Sequence, residues 1–250
     1  MRVRHALVIA PHGGVGSAVA RELRRRGARV SGAGRTAPDD GLVDAFHPID
    51  LAGADWEALF DRAAAGGPLD AVVYAAGTAT FGRTGAIPLD EARATFDVNF
   101  WPLAAAASAA VARWERTGTA GCFLAVLSIA GLRAVPFEAF YGASKAAAVR
   151  FLETLQLEVS PSIRLVPACP GLIRTAFREH ARWHGVAPPA SDYGATPEET
   201  AVSLCDLLEG SRHARILGWR ERGIDLADRL LPGLYDRLLL RRRVLRSRRP

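Results

Sequence analysis

Apolar positions along the chain alternate between short continuous runs and longer stretches with helical spacing. "HALVIA" (5–10) is a run of the first kind and ends in the turn "PHGGVG". "SAVARELRRRG" follows, with Ala18, Val19 and Leu23 on one face and Gly27 as a stop signal. "ARVSGAG" reads as a second strand and "AFHPIDL" as a third; "DWEALFDRAAAG" is then a helix capped by Asp55. "LDAVVYAAG" is apolar without alternation, the pattern of a strand covered on both faces of a parallel sheet. The pattern further predicts a long helix over roughly 86–116, a strand at "GCFLAVLS" and a helix over 141–159. A strand at "IRLVPACPG", a helix over 197–209 and a closing strand at "ARILG" complete it.

Strands that alternate with helices at this spacing imply right-handed βαβ units. The expected fold is therefore α/β, a doubly wound parallel sheet between two helical layers. No internal repeat or linker interrupts it, so residues 1–222 are expected to form one domain, with 223–250 as an amphipathic C-terminal helix and an arginine-rich tail. In such sheets ligands bind beyond the carboxyl ends of the strands. Gly13 to Gly16, Arg35, Asp50, Ala75 to Gly77, Ser128 and Pro170–Gly171 all fall just after predicted strands and converge on one rim.

Composition narrows the class without changing this picture. At 250 residues, with 49% apolar and 23% charged, the chain can bury a sizeable core. Cys122, Cys169 and Cys205 are odd in number and far apart, so neither a disulfide framework nor a metal site is expected, and a reducing interior fits. The apolar run before Pro11 is too short for a signal segment, and no window approaches the ~18 apolar residues of a membrane span. A soluble, cytoplasmic protein is the expectation. The net charge of +6 is matched by Arg241, Arg242, Arg243, Arg246, Arg248 and Arg249, which leaves residues 1–240 formally neutral and gives no charge argument for nucleic acid.

The arginine bias singles out one position. Of the 32 lysine and arginine side chains, Lys145 alone is lysine, in "FYGASKAAAV". A compact, titratable ammonium is not replaced by a guanidinium. Tyr141 and Lys145 are spaced to share one helix face. Ser128 precedes the tyrosine at the end of a predicted strand, and Asn99 lies in "FDVNF" within the long central helix. Reduction of a carbonyl by hydride needs a proton delivered to the developing alkoxide, and a free phenol's pKa of about 10 is too high for that near neutrality. A neighbouring ammonium favours the phenolate, so Tyr141 can act as acid or base. Ser128 would orient and polarise the substrate oxygen.

On these residues the chain resembles the short-chain dehydrogenase/reductase family over roughly 5–217. Asn99, Ser128, Tyr141 and Lys145 match the family's catalytic tetrad in type and spacing, as Ser-x12-Tyr-x3-Lys with "PG" downstream. The resemblance implies a Rossmann-like three-layer α/β/α fold and a nicotinamide cofactor that carries the hydride. It also implies a Lys145 contact to the nicotinamide ribose and a water held by Asn99 that joins Lys145 to solvent. The family's TGxxxGxG turn maps onto residues 9–16, with Ile9 and Ala10 in the first two places and Gly14 and Gly16 in the later ones. Ala10 departs from the pattern, and Pro11 behind it predicts extended geometry there.

Further cofactor contacts follow from the same resemblance. Ala10, His12, Gly13, Gly14, Val15 and Gly16 form the phosphate turn, with His12 either a phosphate partner when protonated or an ordinary turn histidine. Asp50, with Leu51, matches the adenine-side aspartate. Ala75, Ala76 and Gly77 resemble the family's NAG turn. Pro170, Gly171, Ile173 and Thr175 stand where it meets the nicotinamide or phosphates. Tyr141 and Lys145 contribute as well. Gly34 stands where an NAD site places an acid, and Arg35 follows it, which favours NADP(H) over NAD(H) because a guanidinium suits a 2′-phosphate.

The segment 172–196 reads as the family's substrate lid. Its Arg178, His180, Arg182, Trp183 and His184 either bind an anionic or carrier-tethered substrate or form a solvated helical face; Trp101, Phe137 and Phe140 are candidate apolar pocket residues. Residues 224–245 carry an apolar stripe with a basic end, which suits either peripheral membrane contact through 224–250 or packing on the domain or a second subunit. The expected protein is an NADP(H)-dependent oxidoreductase acting on a small-molecule carbonyl or alcohol, a homodimer or homotetramer as family members commonly are. The alternatives are an NAD-dependent alcohol dehydrogenase and a nucleotide-sensing regulator without turnover, which would need no paired Tyr141 and Lys145.

Overall fold

The computed structural model describes residues 2–39, 41–186 and 194–210, with 216, 217, 222, 223, 225, 226, 230 and 233. In chain order the elements are β1 (His5–Ile9), α1 (Gly14–Arg25), β2 (Arg29–Gly34), β3 (Ala45–Pro48), α2 (Trp56–Ala64), β4 (Ala71–Tyr74) and β5 (Thr80–Gly82). They continue as α3 (Leu89–Asn99), α4 (Trp101–Thr117), β6 (Gly121–Val126), α5 (Ala139–Glu158), β7 (Ile163–Ala168), β8 (Arg182–His184) and α6 (Pro197–Glu209). The 224–245 stripe and the arginine tail lie largely outside the described residues.

Six strands form one parallel sheet in the order β3-β2-β1-β4-β6-β7. The winding direction reverses between β1 and β4, which places the switch-point crevice beyond Ile9 and its partner Tyr74. Both faces of β1 are buried, with Leu7 and Ile9 in one core cluster and Ala6 and Val8 in the other. The first cluster gathers Leu59 and Phe60 of α2, Leu103 and Trp114 of α4 and Leu152 of α5; the second gathers Val19 and Leu23 of α1 with Leu204 and Leu208 of α6. Burial on both faces explains why these strands read as continuous apolar runs. The Asp55 cap is present, its carboxylate accepting from Ala58 N at 3.0 Å.

The helix expected over 86–116 is two helices. Phe100 interrupts it at φ −115° and ψ −61°, and Pro102 lies in the first turn of α4. Proline offers no N–H to the carbonyl four residues back and its ring crowds that carbonyl, so one continuous helix cannot pass through Pro102. The released carbonyl is that of Val98, which accepts from the Tyr74 hydroxyl at 3.5 Å. Asn99 therefore ends a helix rather than lying inside one. The closing strand is described only as a parallel bridge from Cys169 to Ile216. Within the segment 172–196, β8 pairs in parallel with β5, Phe81 opposite Trp183, in a second, two-stranded sheet. Residues 187–193 of that segment lie outside the described residues.

Candidate active site

The turn after β1 is shaped by backbone contact. Ala10 takes φ 61°, the left-handed region, and not the extended geometry expected before Pro11. Its N–H continues the ladder to the Ala33 carbonyl at 2.8 Å while its own carbonyl accepts from Gly13 N at 3.3 Å. That carbonyl turns under the start of α1 so closely that a Cβ on Gly16 would collide with it. These contacts override the local preference set by Pro11. A Cβ on Gly14 would stand 2.7 Å from Thr175 Cγ2, so Thr175 closes over the helix start from the far side of the sheet.

No side chain caps the α1 N-terminus and no acid stands in its first turn. Unsatisfied N–H groups and the positive end of the helix dipole suit that point to an anion. Gly34 is buried beside Ala10 and His12, and Arg35 follows it, exposed, at the end of β2. A cradle that added side chains would fill, opened by a helix N-terminus, fits the phosphates of a dinucleotide. Asp50 sits at the same rim, but its carboxylate caps its own turn by accepting from Ala52 N at 3.2 Å, and Leu51 packs into the core.

The crossing of α5 over the β4 and β6 ends assembles the tetrad residues. Tyr141 and Lys145 share the inward face of α5, Lys145 only 3% exposed, with its Nζ 5.9 Å from the Tyr141 ring centroid. Nζ donates to the Val126 carbonyl at 3.4 Å and would lie 3.2 Å from a Cβ on Gly77. Ser128 stands within reach of the Tyr141 hydroxyl, and its Oγ accepts from Ala130 N at 3.2 Å. Pro170 joins this corner through its carbonyl, which accepts from Ile129 N at 2.9 Å. Gly171 adjoins it, and Ile173 bridges to Ala195.

Burial dominates the electrostatics here. Desolvation raises the Tyr141 phenol and the Ser128 hydrogen bond opposes it. Desolvation lowers the Lys145 ammonium to about 8. At neutral pH the ammonium stays mostly charged beside a phenol that burial keeps neutral, and its charge favours the phenolate when the phenol gives up its proton.

Asn99 is fully buried. Its Oδ1 accepts from Thr78 N at 2.8 Å, and its Nδ2 donates to the Thr78 carbonyl at 2.9 Å and to Ser144 Oγ at 3.0 Å. Both donors are thus committed inside the protein, and the side chain braces the Gly77–Thr78 turn against α5. Ser144, absent from the sequence reading, completes the brace by donating to the Tyr141 carbonyl at 2.7 Å. The available signal was its place beside the lone lysine, three residues after Tyr141 on the same face.

The wall around Tyr141 differs from the expected aromatic set. Trp101 is 62% exposed on α4 and meets Phe100 edge-on. Phe81, Ala79, Ala130, Phe177 and Trp183 surround the ring instead. Arg178 pairs with Glu138 at 2.7 Å, while His184 and Arg182 share Glu91 at 3.1 and 3.5 Å. The lid cations therefore have internal carboxylates, which weighs against an anion site built from them.

This arrangement has counterparts. The family model described as short chain dehydrogenase matches residues 4–184, and the chain belongs to that family of oxidoreductases. It is 31% identical over 179 residues to the D-erythrulose reductase of Gallus gallus, covering 70% of this chain and 73% of that one. An uncharacterized oxidoreductase of Bacillus subtilis is 26% identical over 249 residues, covering 90% of this chain and 68% of the relative. A short-chain dehydrogenase from Streptomyces avermitilis superposes with a TM-score of 0.78 at 20% identity, over 99% and 100% of the two chains. One from Burkholderia cenocepacia in complex with NADP gives 0.76 at 24% identity, over 96% and 97%. Among the described residues no helix is long and apolar enough to cross a membrane, and no His, Cys, Asp and Glu group could hold a metal.

Proposed function

We propose that this chain is an NADP(H)-dependent carbonyl reductase or alcohol dehydrogenase in which Tyr141 exchanges the proton. The observation that carries the reading is the Tyr141 hydroxyl within reach of Ser128, with the buried Lys145 ammonium under the same ring. In the reductive direction Tyr141 gives its hydroxyl proton to the substrate oxygen as negative charge develops there, and in the oxidative direction it takes that proton back. Ser128, already within reach of the phenol, donates to the same oxygen and fixes its orientation. Lys145 stabilises the phenolate left behind. Asn99 and Ser144 hold α5 and the Gly77 turn in register, and the Phe81, Phe177 and Trp183 wall keeps bulk water from the reacting oxygen. The nicotinamide, when bound, supplies or accepts the hydride.

Several residues fit the cofactor. The α1 N-terminus, with Ala10, His12, Gly13, Gly14, Val15, Gly16 and Thr175, takes the pyrophosphate. Arg35, with no acid at Gly34, favours a 2′-phosphate. Asp50 and Leu51 flank the adenine; Ala75, Ala76, Gly77, Pro170, Gly171 and Ile173 line the path to the nicotinamide. The NADP complex of the Burkholderia cenocepacia protein and the reductase named among the relatives support the same reading. Residues 1–222 are taken as the catalytic unit, and an oligomer accords with the family.

The test follows the near-ultraviolet absorbance of NADPH and NADH with purified protein over a panel of ketones and aldehydes. Consumption of NADPH in preference to NADH, abolished in Tyr141→Phe, is the expected outcome; full turnover by Tyr141→Phe defeats the assignment.

A further inference from the structure

Beyond the tetrad, one partly buried charged pair stands beside the rings that pack on Tyr141. Glu138, at the N-terminal end of α5, is 8% exposed, and its Oε1 accepts from Arg178 Nη2 at 2.7 Å. Arg178 comes from the segment after β7, which β8 pins to β5. Its guanidinium lies 5.1 Å from the Phe81 ring centroid and 6.0 Å from that of Trp183. Phe81 meets Tyr141 edge-on at 5.4 Å, and Phe177 lies 5.9 Å from the same ring. The backbone fixes the other partner: Phe137 takes φ 71°, rare for a bulky residue, and its carbonyl accepts from Gly82 N at 2.8 Å. Helix start, strand and cover segment thus converge on one pair.

We propose that Glu138 and Arg178 are opposed positioning residues for the proton transfer, the carboxylate holding the Tyr141 hydroxyl neutral and the guanidinium drawing it toward the phenolate. The inference rests on Tyr141 being the acid/base group. Among the described residues, the charged or titratable groups that bear on Tyr141 are Lys145 and Glu138 from α5, Cys169 after β7, and Arg178 beyond it. Ser128 adds a hydroxyl, and β5 brings only the uncharged Phe81 ring. Glu138 raises the phenol and Arg178 lowers it. The Phe81 and Trp183 rings flank the guanidinium and Glu138 is buried, so solvent screens the pair's field only in part. The balance of the two, adjustable without touching the tetrad, sets the pH at which the enzyme gives or takes its proton.

The test uses opposite signs. Either Arg178→Gln or Glu138→Gln breaks the same ion pair, so a purely structural role would move both variants alike. Tyr141 is replaced by a trifluorinated tyrosine in the full chain and its ionisation followed by fluorine NMR in the cofactor-free protein. Arg178→Gln is expected to move the midpoint up and Glu138→Gln to move it down, each on the order of half a pH unit or more. Arg178→Lys should return close to the parent, and the double variant should fall between the two single variants. Midpoints that move in the same direction, or do not move, overturn the proposal. Turnover of NADPH by Tyr141→Phe, measured alongside on the carbonyl panel, separates the two failures. An active Tyr141→Phe sinks the acid/base reading itself, while an inactive one with unsplit midpoints sinks only the role of the pair.

Discussion

At the end of α3 the Asn99 carboxamide donates to the Ser144 hydroxyl of α5 at 3.0 Å. The contact ties the turn that faces Lys145 to the helix that carries it, with Asn99, Ser144 and Lys145 all buried. Ser144→Ala leaves the Asn99 N–H without its acceptor and removes a bond to the Tyr141 carbonyl. Denaturant unfolding should show a loss of about 1–3 kcal/mol. Turnover should fall more than apparent substrate affinity, because the displaced groups act on the proton and not on binding.

Ala10 stands in the left-handed region, which glycine occupies freely and alanine at a cost of roughly 1–2 kcal/mol. Ala10→Gly relieves that strain but gives the unfolded chain more freedom, for a net gain of about 0.5–1 kcal/mol. Ala10→Val should be destabilising by more than the glycine variant gains. Urea midpoints of the three proteins test the order. Gly16→Ala, which drives a Cβ into the Ala10 carbonyl, should lower both stability and dinucleotide affinity.

Burial depresses Lys145 to about 8 from the ordinary lysine value of 10.5. Below pH 8 both folded and unfolded chains are protonated and the buried charge weakens the fold. Between 8 and 10.5 the unfolded chain binds the proton that the folded chain has released, so this group makes stability rise with pH, by up to about 1.4 kcal/mol per unit. Cys122 and Cys205, whose thiols burial pushes from 9.0 up to about 12, act in the opposite sense between those two values. Unfolding of Lys145→Met and wild type at pH 8 and pH 10 isolates the lysine: the difference between them should shrink as pH rises.

Arg35 follows Gly34 at the exposed end of β2. Arg35→Ala should weaken NADPH binding about ten- to a hundredfold, the worth of a charge-assisted contact of roughly 1.5–3 kcal/mol, and leave NADH nearly unchanged. Titration of both nucleotides by fluorescence checks the asymmetry.

The sheet was legible because strands covered on both faces leave runs such as "LDAVVYAAG", and helices were legible where a cap marked them, as Asp55 does. The break at Phe100 escaped the apolar period, which continues through it; Pro102 was the overlooked signal. The strands β5 and β8 were not legible, since three residues each carry no period and each needs the other to form. Within the site, residue types and spacing located Tyr141, Lys145, Ser128 and Asn99. Nothing local linked Arg178 to Glu138, because that pairing depends on how the cover segment returns across β5. Trp101 was misjudged for the same reason, as proximity in sequence to Asn99 does not tell which way a helix turns its rings.

The parallel pairing of Thr80 with Arg182 joins two stretches far apart in the chain. As the chain emerges from synthesis, β1 to β4, β6 and β7 can assemble in sequence order, and α5 can dock with Tyr141 already aimed at the rim. The wall of that ring waits until β8 has been made to pair with β5, and α6, which closes the second core cluster, comes later still. A nascent or nicked chain that ends before β8 would lack both the cover of its reaction chamber and the helix that closes one face of its sheet.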